Sequence, residues 1–249
     1  MIYKTISELK TLARGRMLNN YSLAVSALVL IELIFFVFGR MTGAVVDITS
    51  ASGQIIYFAI TFIINLIATV LVVGELSIYL KLACGRKAAV SDVFSMFKQH
   101  PDKIIVVQLL IFVRVLAFMI PTIVLGVIYG TTDGTDNFVF ILLIVCIIFG
   151  LIGSIYIKVI TSQSFLLLLD FPQYSAKELI GYSKEIMKGH MWQYIGIIIS
   201  FIPMLLLGVL SAGIGMLFVY PYYQMTLTQF YLDIIRQPQQ ESSTFSAAV

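Results

Sequence analysis

Four ionisable side chains interrupt otherwise apolar stretches of this sequence: Glu32, Glu75, Arg114 and Lys158. A charge held in the middle of a bilayer costs about 2.5–3.5 kcal/mol on insertion scales, so each needs a partner or nearby water. Depth can be counted from the basic end of each apolar run at about 1.5 Å per residue. Glu32 and Arg114 then reach comparable depths toward the middle, while Glu75 and Lys158 lie shallower. The spacing predicts two pairs, Glu32–Arg114 and Glu75–Lys158. Such pairs either lock helices together or line a polar path for ions, protons or a lipid headgroup. Lys158 has a third option, snorkelling to water. All three readings stay open at this level.

A second polar group lies near the end of the chain, where Tyr220, Pro221, Tyr222, Tyr223 and Gln224 lead into Thr226, Thr228, Gln229 and Tyr231. Tyrosines and glutamines in an otherwise apolar run fit a wet cavity open to one face. They also fit an aromatic belt with hydrogen bonds between helices. Pro221 leaves a carbonyl one turn earlier in need of another donor. Catalytic patterns are missing: there is no His-Glu-x-x-His helix, no Gly-x-Ser-x-Gly elbow and no phosphate-binding Gly-rich loop. His100 and His190 are the only histidines, each beside a lysine, and Cys84 and Cys146 the only cysteines. These offer too few ligands for a metal site and no disulfide framework. No catalytic, cofactor or metal residue is expected.

The elements that must position these groups begin with three amphipathic stretches. Ser175 and Glu178 have the spacing of a capping box. Lys177, Gly181, Lys184 and Lys188 then follow one helical face, with Leu179, Tyr182, Ile186 and Met187 on the other. A helix patterned this way lies flat at a lipid interface, and Trp192 follows at the depth where its ring is favoured. Thr5 and Glu8 form a second capping box, with Ile6, Leu9, Leu12, Ala13 and Met17 apolar and Lys10, Arg14 and Arg16 basic. A third stretch, Val90, Val93, Phe94 and Phe97, is expected to be capped by Ser91 and Asp92 and carries Lys98. The copies recur roughly every eighty to ninety residues, which points to a repeated unit. Lys10, Arg14, Lys98, Lys184, Lys188 and Trp192 are the candidate lipid-surface residues.

A spanning helix needs about 20 apolar residues, and six runs qualify, at 21–38, 55–80, 104–128, 138–168, 192–210 and 214–234. Only Ser211-Ala212-Gly213 separates the last two, which forces a hairpin. Small residues at Gly150, Gly153 and Ser154 favour close helix packing. Basic residues collect on one side of these runs, while the other side carries Arg40 with Asp47, Asp133 and Asp136. By the positive-inside rule both termini and all three surface helices are expected in the cytoplasm. The residues are 59% hydrophobic and 12% charged, and mean hydropathy is +0.98. A soluble domain carries about 25% charged residues, so lipid is the solvent here. The net charge of +3 does not suggest nucleic acid as a partner. No secretory leader is expected, because the N-terminal stretch is amphipathic and the following run exceeds an h-region.

Several local patterns also resemble a known family. Leu9-x-x-Leu12-Ala13-Arg14 precedes Asn20, and Ser183-x-x-x-Met187-Lys188-Gly189-x-x-Trp192 comes later. Gly213-Ile214-Gly215, Tyr220-Pro221-Tyr222 and Phe230-Tyr231-x-Asp233 follow. Together they resemble the bacterial integral membrane proteins labelled domain of unknown function nine-seven-five. More remotely they resemble the membrane domain attached to some glycerophosphoryl diester phosphodiesterases. The resemblance implies a six-span inner-membrane protein with no catalytic residues to carry over, and it implies asparagine where His190 stands.

The expected fold is therefore an all-α polytopic membrane protein of six transmembrane helices and three amphipathic interfacial helices. One membrane domain covers 1–236, in units of about 1–82, 83–169 and 170–236, and a disordered tail covers 237–249. The expected function is non-enzymatic: a multi-pass inner-membrane protein with a cytoplasm-facing polar cavity that handles lipid or assists envelope homeostasis or a membrane complex. Its expected partners are anionic phospholipid, with a second membrane protein or another copy of the chain. The alternative is a small-solute or ion transporter or channel using Glu32 and Arg114.

Overall fold

The computed structural model describes residues 3–46, 49–131 and 137–246, without the side chains of residue 51 and of 236–246. The expected acidic loop residues Asp47, Asp133 and Asp136 lie outside these residues. Among the described residues every regular element is helical. Helix α1 (Ile6–Met17) opens the chain and α2 (Tyr21–Val45) and α3 (Ala51–Ala83) follow. A 3-10 turn (Val90–Phe94) and the short α4 (Met96–Gln99) lead to α5 (Pro101–Thr131) and α6 (Asn137–Ile160). Then come α7 (Ser164–Asp170), α8 (Ala176–Met187), α9 (Met191–Leu210) and α10 (Met216–Ser246).

Five helical segments among the described residues are long and apolar enough to cross a membrane: Tyr21–Val45, Ser52–Ala83, Pro101–Thr131, Asn137–Asp170 and Met191–Leu210. Helix α10 differs because from its second turn onward it carries the polar series from Tyr220 to Asp233. Its backbone stays helical to Ser246, into the stretch for which the sequence suggests a disordered tail. Once nucleated by the packed turns before it, a helix extends at little cost per residue.

Both capping boxes are present. The Glu8 N–H donates to Thr5 Oγ1 at 3.3 Å and the Thr5 N–H to Glu8 Oε2 at 2.7 Å. At α8 the Glu178 N–H reaches Ser175 Oγ at 3.4 Å and the Ser175 N–H reaches Glu178 Oε2 at 2.8 Å. These bonds, the one from the backbone N–H first, hold both glutamates below the usual carboxylate range.

The middle stretch corrects the sequence reading, being a five-residue 3-10 turn followed by a four-residue helix. Asp92 is its cap, accepting the Ala89 N–H at 2.9 Å and pairing with Lys81 at 2.8 Å. Ser91 makes no capping bond. Pro101 disfavours helical backbone at the residue before it, and His100 is indeed non-helical at φ −145° and ψ 55°. The segment therefore cannot run on into α5.

A second correction concerns what the apolar faces cover. Leu9, Ala13 and Met17 of α1 are fully buried, as are Leu179 and Met187 of α8, and they are buried in protein. Helix α1 packs on α10 and α9, the 3-10 turn on α3 and α2, and α8 on α5, α7 and α6. Each surface segment thus rests on the pair of long helices that precedes it, with the first resting on the last. Gly74 lets the 3-10 turn approach α3, since a Cβ there would strike the Val93 carbonyl. The α9–α10 hairpin turns through Ala212 (φ 55°) and Gly213 (φ 86°), and Gly213 supplies the left-handed conformation that side chains disfavour.

Candidate functional site

The break between α6 and α7 builds one wall of a cavity. Thr161, Ser162 and Gln163 form a turn there, and Ser183 of α8 holds it from behind. Ser183 Oγ donates to the Ile160 carbonyl at 2.8 Å, and the Gln163 N–H donates to Ser183 Oγ at 3.3 Å. These two bonds satisfy backbone groups that the interrupted helix leaves free. The cavity beside the turn measures about 370 Å³. It is bounded by Val72, Glu75, Leu76 and Tyr79 of α3, Gln108 and Ile111 of α5, and Lys158 at the end of α6. Tyr194 of α9 and Tyr223, Gln224 and Leu227 of α10 complete it. All these positions lie at the end of the bundle that carries α1, α4 and α8.

Polar capacity in this cavity is unevenly met. Glu75 is buried and accepts one hydrogen bond, from Tyr79 Oη to Oε1 at 2.9 Å. Gln163 is 1% exposed, and while its Nε2 donates to Ser162 Oγ at 2.8 Å, its Oε1 has no donor. Gln224 Nε2 donates to Tyr220 Oη at 2.7 Å. Lys158 is exposed at the rim.

Neither expected charge pair forms. Among the described residues the ion pairs are Lys4–Asp233 and Lys81–Asp92. Glu32 cannot reach Arg114 because α2 packs on α3 and α10, away from α5. Instead it lies within electrostatic range of Glu75 and Tyr220. Arg114 keeps a buried Nη1 without a hydrogen-bond partner. Glu75 and Lys158 border one cavity but form no ion pair. Tyr222 turns away from that cavity, donating to the Lys10 carbonyl at 3.2 Å and packing edge-on against Phe201 at 5.1 Å.

The candidate surface residues divide. Arg14, Lys98, Lys184 and Lys188 are exposed, and Trp192 is 83% exposed at the start of α9. Lys10 is not a free surface cation. Its Nζ donates to the Ser200 carbonyl at 3.0 Å and stands 4.4 Å from the centre of the Phe201 ring. Burial there pushes its ammonium below the ordinary lysine value. Close packing at the small residues is realised, with Gly150 and Gly153 facing Phe118 and Met119 of α5.

Sequence reasoning missed Gln163 and Gln108, and it held Ser183 only within a family pattern, without its role at this turn. A polar Thr161-Ser162-Gln163 triplet inside a 31-residue apolar run was the available signal. It also missed the tie of Tyr231 Oη to Asp170 Oδ2 at 2.8 Å and of Lys4 to Asp233 at 2.9 Å.

Long apolar helices enclosing a partly polar cavity define an all-α protein of membrane-embedded type. A model of the family described as "Protein of unknown function (DUF975)" matches residues 1–238, and the chain belongs to that family. The remoter likeness to glycerophosphoryl diester phosphodiesterases is not shown. No curated protein and no solved structure matches the chain.

Proposed function

We propose that this is a non-enzymatic bacterial inner-membrane protein that holds a phospholipid headgroup in the cavity at the cytoplasmic end of its bundle. The observation that carries the reading is the cavity itself. It combines a buried carboxylate, an amide oxygen without a donor and a cation at the rim with a largely apolar wall, the mixture a lipid headgroup and its first methylenes require. In this reading α10 is the sixth span and both termini are cytoplasmic. The succession of each surface segment upon the preceding helix pair supports a three-fold repeat, whose second spans all contribute to the cavity. Exposed Arg14, Lys98, Lys184 and Lys188 then face the anionic leaflet, where each basic residue is worth about 1 kcal/mol. The transporter alternative loses support from the separation of Glu32 and Arg114. Purified protein that keeps phospholipid through delipidation, and releases it when the cavity residue Gln163 is replaced by leucine, supports the proposal. Solute flux in proteoliposomes that vanishes with Arg114→Ala would overturn it.

A further inference from the structure

We propose that the cavity selects a zwitterionic phospholipid bearing a primary amine, with its ammonium on the Glu75 carboxylate and its phosphate on Lys158. The inference rests on the lipid-holding reading above and adds the headgroup class. It starts from a charge relationship. Glu75 is 3% exposed and, among the described residues, pairs with no cation; its one hydrogen-bond donor is the neutral Tyr79 hydroxyl. Lys158 borders the same cavity and pairs with no carboxylate. A buried charge is normally paired, and here two opposite charges face one space without touching. A molecule carrying both complementary charges satisfies the two together.

The acceptor chemistry narrows the choice. The same cavity wall holds a second acceptor in Gln163, whose Oε1 has no donor. A primary ammonium carries three N–H donors for such a wall, and a quaternary ammonium carries none. A headgroup with no cation leaves Glu75 unpaired. The cavity lining also includes the apolar Leu76, Ile111, Phe165 and Leu227, which suits methylenes. The rim shows where the ligand enters. Beside Lys158 on α6, Ile155 is 58% and Tyr156 is 47% exposed, on a helix apolar enough to span a membrane. A mouth flanked by such residues faces acyl chains, so the ligand arrives from the bilayer.

The test counts bound lipid by native mass spectrometry on full-length protein exchanged into micelles doped with dioleoyl phosphatidylethanolamine, phosphatidylcholine or phosphatidylglycerol. The wild type is expected to hold the ethanolamine lipid at least about tenfold more tightly than the other two, the scale of one charge-assisted hydrogen bond. Glu75→Gln is expected to reduce that preference to within about threefold. The rim variant Lys158→Gln is expected to weaken retention of all three lipids alike by about tenfold, since each carries the phosphate, with melting temperature confirming folded protein. Equal retention of all three lipids by the wild type would overturn this inference and leave the lipid-holding reading intact. Retention of none would remove the reading itself. Unchanged preference in folded Glu75→Gln, or undiminished lipid retention in folded Lys158→Gln, would also overturn the inference. So would displacement of the lipid by soluble O-phosphoethanolamine as effectively as by the diacyl lipid, since the site would then read a soluble zwitterion.

Discussion

Glu75 and Lys158 border the same cavity from α3 and α6 and form no ion pair. That relationship separates a site held open for a ligand from a clasp between helices. Removing one partner of a buried pair costs about 3–5 kcal/mol because the other charge is left uncompensated. Lys158 is exposed and unpaired, so Lys158→Gln in lipid-free protein should change stability by no more than about 0.5 kcal/mol. Thermal unfolding in detergent checks this, and a loss of several kcal/mol would show that the lysine does clasp Glu75.

Ser183 should matter far more than its size suggests. It serves the Ile160 carbonyl and the Gln163 N–H at the turn that forms the cavity wall. Ser183→Ala leaves both buried groups short of a partner, at a cost of about 1–3 kcal/mol. The melting temperature should fall, and hydrogen exchange should rise at residues 161–164. Unchanged exchange there would mean that α8 does not hold the turn.

Gly74 offers a test of how the 3-10 turn is seated. The Val93 carbonyl occupies the place a Cβ would take, and backbone cannot step aside as a flexible side chain can. Gly74→Ala should destabilise by about 1–3 kcal/mol, the range for overpacking. Gly181→Ala, where nothing stands within 4 Å, should be neutral or mildly stabilising. Equal effects at the two positions would remove the contact.

Asp92 predicts an acid-sensitive loop. Burial opposes its ionisation, but the Lys81 hydrogen bond, the Ala89 N–H and the Lys81 charge outweigh this and hold its carboxyl below the usual range. A depressed carboxylate contributes stability at pH values above its unfolded pKa and loses that stability as pH falls through the folded one. Hydrogen exchange at residues 89–95 should therefore be slow near neutrality and rise from roughly pH 5 to pH 3 after correction for intrinsic rates. Asp92→Asn should exchange fast throughout, and an identical pH profile in the variant would contradict the assignment.

The same residues show what the sequence made legible. Thr5–Glu8 and Ser175–Glu178 were readable because a capping box is a local signal three residues long. The long apolar runs were readable because a spanning helix needs only length and composition. The destination of the buried face was not. Leu9 and Leu179 have the same periodicity whether they cover lipid or protein, and here they cover α10 and α5 with their neighbours. Depth alone also misassigned Glu32 and Arg114, since a pair needs adjacent helices and adjacency is a tertiary property. The helical pattern alone places Lys10 among the surface cations, but its long stem carries the ammonium onto Phe201 and the Ser200 carbonyl. The cavity draws part of its polar wall from the 161–163 turn, where three polar residues are too short a signal to divide an apolar run.

The central claim is that a phospholipid occupies the cavity bounded by Glu75, Gln163 and Tyr223. The most direct measurement is the number of lipids that stay bound after delipidation in wild type and in Leu76→Trp, whose added ring projects into the free space. A bound ligand also raises the melting temperature by mass action, so added lipid should stabilise the wild type alone. The account predicts tightly held lipid on the wild type and none on a folded Leu76→Trp. The same lipid count on both would contradict it.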